Sequence, residues 1–268
     1  MFAAYLNALQ ESMGRRVAWV LLGVAVLVAA AFIAIVHVRA VPGGVALAVG
    51  SQPPSPAGLA VPSLLESELR ATGSLWLLLA IFAAAPLLSA TLEKGWLELT
   101  FSKGTARWRI FFGRFLAGLT LYSLTFVVAS LPVAVWLSWR TGVATWQMGT
   151  ALLIQTFSFA ALLSVAALAT LPQKGVALPI IASVAIWVLA PSLTMRRETY
   201  DRIFSSHLAR EIVDWVYRIL PKCTELENMC VSLVHGGAIG SWWPIWSTAI
   251  FTLVVIGLTL WLVERQSF

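Results

Sequence analysis

Six apolar runs without a single Asp, Glu, Lys or Arg divide this 268-residue chain, and they limit its fold more than any other feature. They cover residues 17–38, 71–92, 115–139, 148–171, 176–194 and 244–263. About 20 apolar residues cross a bilayer as a helix, so each run is long enough for one crossing. With 59% hydrophobic and 11% charged residues, the chain also lacks the charge of a soluble domain, where about a quarter of residues are charged. The expected fold is all-α, a single polytopic domain (residues 1–268) of six transmembrane helices in a lipid bilayer.

The flanks of the runs agree. Trp19, Trp76, Trp139, Trp146, Trp242, Trp243 and Trp261 fall near run ends, where amphipathic rings collect at membrane interfaces. The net charge of +6 is the ordinary signature of basic residues flanking spans, so nucleic acid is not an expected partner. The first run exceeds the roughly 7–15 residues of a cleaved signal core and is expected to remain as an anchor. Cys223 and Cys230 are too few for a disulfide framework or a four-ligand zinc site. Seven residues apart on one helix, their Cα atoms would lie about 10 Å apart, beyond the roughly 7 Å a bridge tolerates.

Six spans return both termini to one side. With that side inside, the interior segments hold nine basic and four acidic residues, a net +5, and the exterior segments nine and eight, a net +1. On this balance both termini are expected in the cytoplasm, and the membrane expected is a bacterial inner (plasma) membrane. Basic residues alone are equal on the two sides, and Arg196 and Arg197 abut the fifth run from the exterior.

Outside the runs, residues 1–16 space Phe2, Leu6, Leu9 and Met13 by four, three and four, the stripe of an interfacial helix facing acyl chains. Residues 41–62 are rich in Pro and Gly and read as an extended exterior loop. Ser63 and Glu66 then form a capping box that opens the second span. In residues 196–243, Phe204, Leu208, Ile212, Val216 and Leu220 recur every four positions and stop at Pro221, an amphipathic helix. A second short helix is expected over residues 224–234. The pair is read as resting on the outer face of the bundle, closing an exit path or forming a plain surface hairpin.

The most informative interior stretch is residues 93–118. An acidic start (Glu93, Glu98), a Ser102-Lys103-Gly104 turn and the basic residues Arg107, Arg109 and Arg114 lead into the third span. Such a charged amphipathic projection suits docking to a soluble partner. Here the chain resembles the permease subunits of ATP-binding cassette (ABC) transporters of the type-2 exporter class. The matching positions are Glu93, Gly95, Leu97, Leu99, Ser102, Arg107, Gly113 and Arg114, and Gly104 stands where proline is usual. Leu220-Pro221-Lys222 with Glu225-Leu226, and the ending Glu264-Arg265-Gln266-Ser267-Phe268, resemble further elements of that family.

The resemblance implies a permease that pairs with a second copy or paralogue and with separate ATPase subunits. ATP and Mg would be bound by those partners, because this chain has no G-x-x-x-x-G-K-[ST] loop and no cofactor of its own. Residues 93–110 would be the coupling loop, with Glu93, Gly95, Glu98, Ser102, Lys103, Arg107, Arg109 and Arg114 as its contacts, and residues 172–175 a shorter second contact. The cargo expected is hydrophobic or amphipathic.

Three other classes compete with this reading. A secondary transporter usually carries ionisable residues inside its spans, and the six runs have none. Gln155, Thr156 and Ser158 are the candidates for lining a span, with interhelical hydrogen bonds as the competing reading. An intramembrane enzyme needs a nucleophile and base together, yet His37, His207 and His235 lie at or beyond run ends. A non-transporting scaffold or assembly subunit would share the span count.

Overall fold

Pro and Gly are dense between residues 41 and 62 but sparse inside the apolar runs, where Gly23, Pro132 and Gly257 are tolerated within helices, so most of the chain is free to form long helices. The computed structural model describes residues 2–14, 16–41, 44–50, 53–90, 106–172, 175–195 and 207–265. Glu93, Gly95, Glu98, Ser102, Lys103 and Phe204 lie outside these residues. The described residues form nine helices and one small sheet. Helices α2 (Arg16–Ile35), α3 (Ala57–Ser89), α4 (Arg107–Thr141), α5 (Gln147–Ala169), α6 (Ala177–Thr194) and α9 (Trp243–Arg265) are long and apolar enough to cross a membrane. The remaining helices are α1 (Phe2–Gly14), α7 (His207–Ile219) and α8 (Cys223–Val234). The chain is an all-α polytopic membrane protein.

Two of the long helices overrun their charge-free runs. With 33 residues in α3 and 35 in α4, each extends about 50 Å at 1.5 Å per residue, well beyond a hydrocarbon core of about 30 Å. Their ends therefore carry charge: Glu66, Glu68 and Arg70 on α3, and Arg107, Arg109, Arg114 and Arg140 on α4. Of these, Glu68 and Arg114 are buried inside the protein.

Helices α3, α4 and α5 form the core, with 50–62% of their apolar windows buried, against 22% for α2, α6 and α9. Helix α5 is the centre: it packs on α3, α4, α6, α8 and α9. Alanines 151, 161, 166 and 167 on it are completely or almost completely buried and allow this crowding. The outer helices turn Val20 and Leu27, Ile181 and Val188, and Leu253 and Val254 away from the protein, as a lipid-facing surface requires. We refer to the end carrying α1 and the α3–α4 connection as the base, and to the opposite end as the crown.

The crown differs from the sequence reading in three places. First, a hairpin of β1 (Val36–Val41) and β2 (Gly44–Val49), joined by the short β3 (Ser55–Pro56), all antiparallel, takes up the end of the first run and part of the stretch read as an extended loop from residue 41. Valine-rich segments flank a Pro42-Gly43 dipeptide, which is a hairpin signal. The first span accordingly ends at Ile35 rather than Val38. Second, α3 begins at Ala57, six residues before the predicted capping box. Ser63 is already inside the helix, where its hydroxyl donates to the carbonyls of Leu59 and Ala60 at 3.1 and 3.0 Å, so it caps nothing.

Third, α8 does not rest on an outer face. Cys223, Leu226, Cys230 and Val234 form a buried stripe, and Cys230 donates to the Ala151 carbonyl of α5 at 3.4 Å. Ser158, beside Cys223, lies eleven residues into α5 from Gln147, about 16 Å along the helix. The backbone N–H of Lys222 donates to Thr248 of α9 at 3.0 Å. The connection at Leu220-Pro221-Lys222 thus reaches well into the bundle from the crown, as a re-entrant hairpin. Helix α7 remains outside, and its stripe of Leu208, Ile212, Trp215 and Ile219 is exposed.

Candidate functional site

The base is organised by a buried arginine. Arginine keeps its charge at any physiological pH, and a buried charge is tolerated only when paired and hydrogen-bonded. Arg114, 2% exposed, meets both conditions: Nη1 donates to the Leu87 carbonyl near the end of α3, and Nη2 to Glu11 Oε2 of α1, each at 2.9 Å. One side chain on α4 therefore joins three elements around the segment that connects α3 to α4.

The residue before it seats α1. A Cβ on Gly113 would fall 2.9 Å from the backbone nitrogen of Tyr5 and 3.0 Å from the carbonyl carbon of Ala4, so α1 crosses α4 at backbone contact. Ala8 and Ser12 are buried on this side of α1, while Phe2 and Leu6 stay exposed. The Tyr5 hydroxyl lies 3.1 Å from the Thr120 hydroxyl. The predicted stripe thus splits: Phe2 and Leu6 are exposed, Leu9 is partly buried, and Met13 packs against the core.

A fourth element joins through Ser89. Its hydroxyl donates to the Gly175 carbonyl at 3.1 Å, tying the end of α3 to the short turn between α5 and α6. The end of α3 is thus held against Gly175, just before α6. Of the predicted coupling residues within the described chain, Arg109 is exposed, with its guanidinium 5.4 Å from the Trp108 ring centre. Arg107 is partly exposed. Arg114 faces inward and acts as a brace.

The remaining candidates lie elsewhere. Gln155 and Ser158 are buried in the core on α5, and Thr156 is partly buried beside them. Leu208 and Ile212 are exposed on α7, and Pro221 is buried at the re-entrant turn. Cys223 and Cys230 are free thiols on one continuous helix.

Sequence reasoning missed a polar cluster at the crown. Glu66 accepts from Arg70 Nε at 2.9 Å and lies 2.8 Å from His235 Nε2, which ties α3 to the end of α8. Arg70 also lies 4.0 Å from Glu227 of α8. Burial holds the Glu227 carboxyl above the usual carboxylate range, against the opposing pull of Arg70. The Glu66 to Arg70 spacing was readable as an i,i+4 pair, but His235 is 169 positions away. Glu68, 1% exposed, accepts from the Ser130 hydroxyl of α4 at 2.7 Å.

Six helices able to cross a bilayer, braced at one end around a charged connection, define a multi-pass membrane protein. No protein-family model matches the chain, and no curated protein matches it significantly. Among the described residues, no group of three or more His, Cys, Asp or Glu could hold a metal ion.

Proposed function

We propose that the chain is the transmembrane permease subunit of an ATP-driven transporter of the ABC type-2 exporter class, moving a hydrophobic or amphipathic cargo. It works as a pair with a second copy or paralogue and with separate ATPase subunits that bind ATP and Mg. The base faces the cytoplasm of a bacterial inner membrane, and residues 93–110 dock on the ATPase. The brace at Arg114 carries this reading. A loop that transmits force needs rigid ends, and α1, α3 and α4 meet at one buried guanidinium there, with the α5–α6 turn held by Ser89. ATP-driven motion of the partner would displace this joint as a unit and switch the accessibility of the bundle.

Charge reversal tests it. In the complex purified with its ATPase, Glu93→Lys and Arg107→Glu should uncouple hydrolysis from cargo, while the same changes leave the assembly of α1 on α4 intact. Hydrolysis and cargo response unchanged by both substitutions would refute the coupling role.

One observation favours a second reading. Buried carboxylates on membrane helices commonly bind or relay protons, and Glu68 is such a group. If cargo movement followed an imposed proton gradient without ATP, and Glu68→Gln abolished it, a secondary transporter would replace the ATP-driven one.

A further inference from the structure

The turn between α4 and α5 leaves a hollow at the crown. Gly142, in the left-handed region at φ 72°, ends α4, and its N–H donates to the Ser138 carbonyl at 2.9 Å. The connection then steps back along α4, where the Thr145 hydroxyl donates to the Ala134 carbonyl at 3.0 Å. Ala134 precedes the last residue of α4 by about two turns, so α5 starts well below the end of its neighbour. Alongside this step a groove of about 500 Å³ opens between the two helices.

The lining of the groove changes along its length. Leu131 and Val135, exposed on successive turns of α4, and Gly149 of α5 make the part farther from the crown apolar. Toward the crown Ser138 brings a hydroxyl, and Trp139 and Trp146 stand at the rim, 82% and 73% exposed. These two indoles close the third apolar run and precede the fourth, the level at which tryptophan gathers in a membrane. Arg140 follows. It is exposed, it makes no ion pair among the described residues, and it is the one charged residue between positions 131 and 149. The groove thus runs from an unbalanced positive charge at the interface to apolar side chains about 13 Å deeper.

We infer that this groove holds one anionic phospholipid of the leaflet at the crown. The order of its lining is the order of a lipid from head to tail. The phosphate meets Arg140, the glycerol ester oxygens accept from the Ser138 hydroxyl and the indole N–H groups at the rim, and an acyl chain lies over Leu131 and Val135. Leu153, 72% exposed on α5, continues the apolar track below. With no acidic residue between positions 131 and 149, nothing there offsets the preference of the arginine for an anionic head over a zwitterionic one. The site goes beyond the transport reading, since it needs neither ATPase nor cargo.

Native mass spectrometry of the full chain tests this, in detergent with equal amounts of phosphatidylglycerol and phosphatidylcholine carrying the same acyl chains. One phosphatidylglycerol should be retained per chain, several-fold over phosphatidylcholine. Arg140→Gln should lower that preference about fivefold, the worth of one arginine beside an anionic head, and leave retention of phosphatidylcholine unchanged. A Cβ on Gly149 would meet nothing within 4 Å, so Gly149→Leu fills the groove without crowding its walls. That variant should retain less of both lipids and melt no lower than wild type, since leucine is the better helix former. Equal retention of the two lipids by wild type, or an unchanged preference in Arg140→Gln, would overturn the site. Unchanged retention in Gly149→Leu would do the same, and loss of a chain dimer in that variant would give the groove to a second copy instead.

Discussion

Gly113 and Arg114 are neighbours with opposite demands. The first must have no side chain so that α1 can touch α4, and the second must have the longest cationic one so that it can reach both α1 and α3. Gly113→Ala separates helix propensity from packing. Alanine favours a helix over glycine by about 1 kcal/mol, yet its methyl would meet the Tyr5 backbone at 2.9 Å, which cannot move aside as a flexible side chain could. The variant should melt below wild type in a thermal scan; a higher melting temperature would mean that α1 does not sit on α4. Arg114→Met should cost about 2–3 kcal/mol, since it strips a charge-assisted donor from the Leu87 carbonyl and leaves Glu11 without it. Chemical denaturation of wild type and variant measures the difference. The sequence reading placed Arg114 among the docking residues, and its burial was not legible there. Its partners are 27 and 103 positions away, and no local pattern distinguishes an arginine that braces from one that docks.

Among elements, α8 departs furthest from its reading. Its boundaries were readable to within one residue, because Pro221 before it and Gly236 after it punctuate the helix. Its burial depends on α5, whose Ala151 leaves room for the Cys230 thiol. Burial chiefly, with the Glu227 carboxylate next, pushes that thiol up to about 12. Cys223 and Cys230 should therefore resist a maleimide at neutral pH in the folded protein and react once it is denatured, as mass spectrometry of the intact chain can follow. Rapid labelling of either thiol in the native state would place α8 outside the bundle.

Glu227 on the same helix gives a pH signature. Its folded-state pKa is raised, so the folded state binds the proton more tightly, and stability is lost as pH rises from the ordinary carboxyl range through the raised value. Glu227→Gln should remove that slope and melt above wild type at neutral pH. The hairpin of β1 and β2 is a simpler case. Its alternating valines and Pro-Gly were present in the sequence, but the apolar run claimed Val36 to Val38 for the first span and the proline-rich stretch that follows drew the rest into a loop.

At the scale of the molecule, the six spans were legible because bilayer thickness imposes a length on every one of them. What lay beyond reach was the offset between apolar run and helix. Helices α3 and α4 continue past their runs and bury Glu68 and Arg114, which a charge-free window cannot reveal. The result is a bundle with a polar brace at the base, a polar cluster at the crown and a nearly charge-free core between them. An arrangement of this kind suits work done at one end and felt at the other.

The most direct test is the rate of ATP hydrolysis by the complex recovered on an affinity tag from the native membrane, compared with that of the same complex carrying Arg107→Glu. A cassette ATPase should accompany the chain, and its cargo-stimulated rate should fall at least tenfold in the variant. Recovery of the chain without an ATP-hydrolysing subunit, or equal stimulated rates in the two complexes, would contradict it.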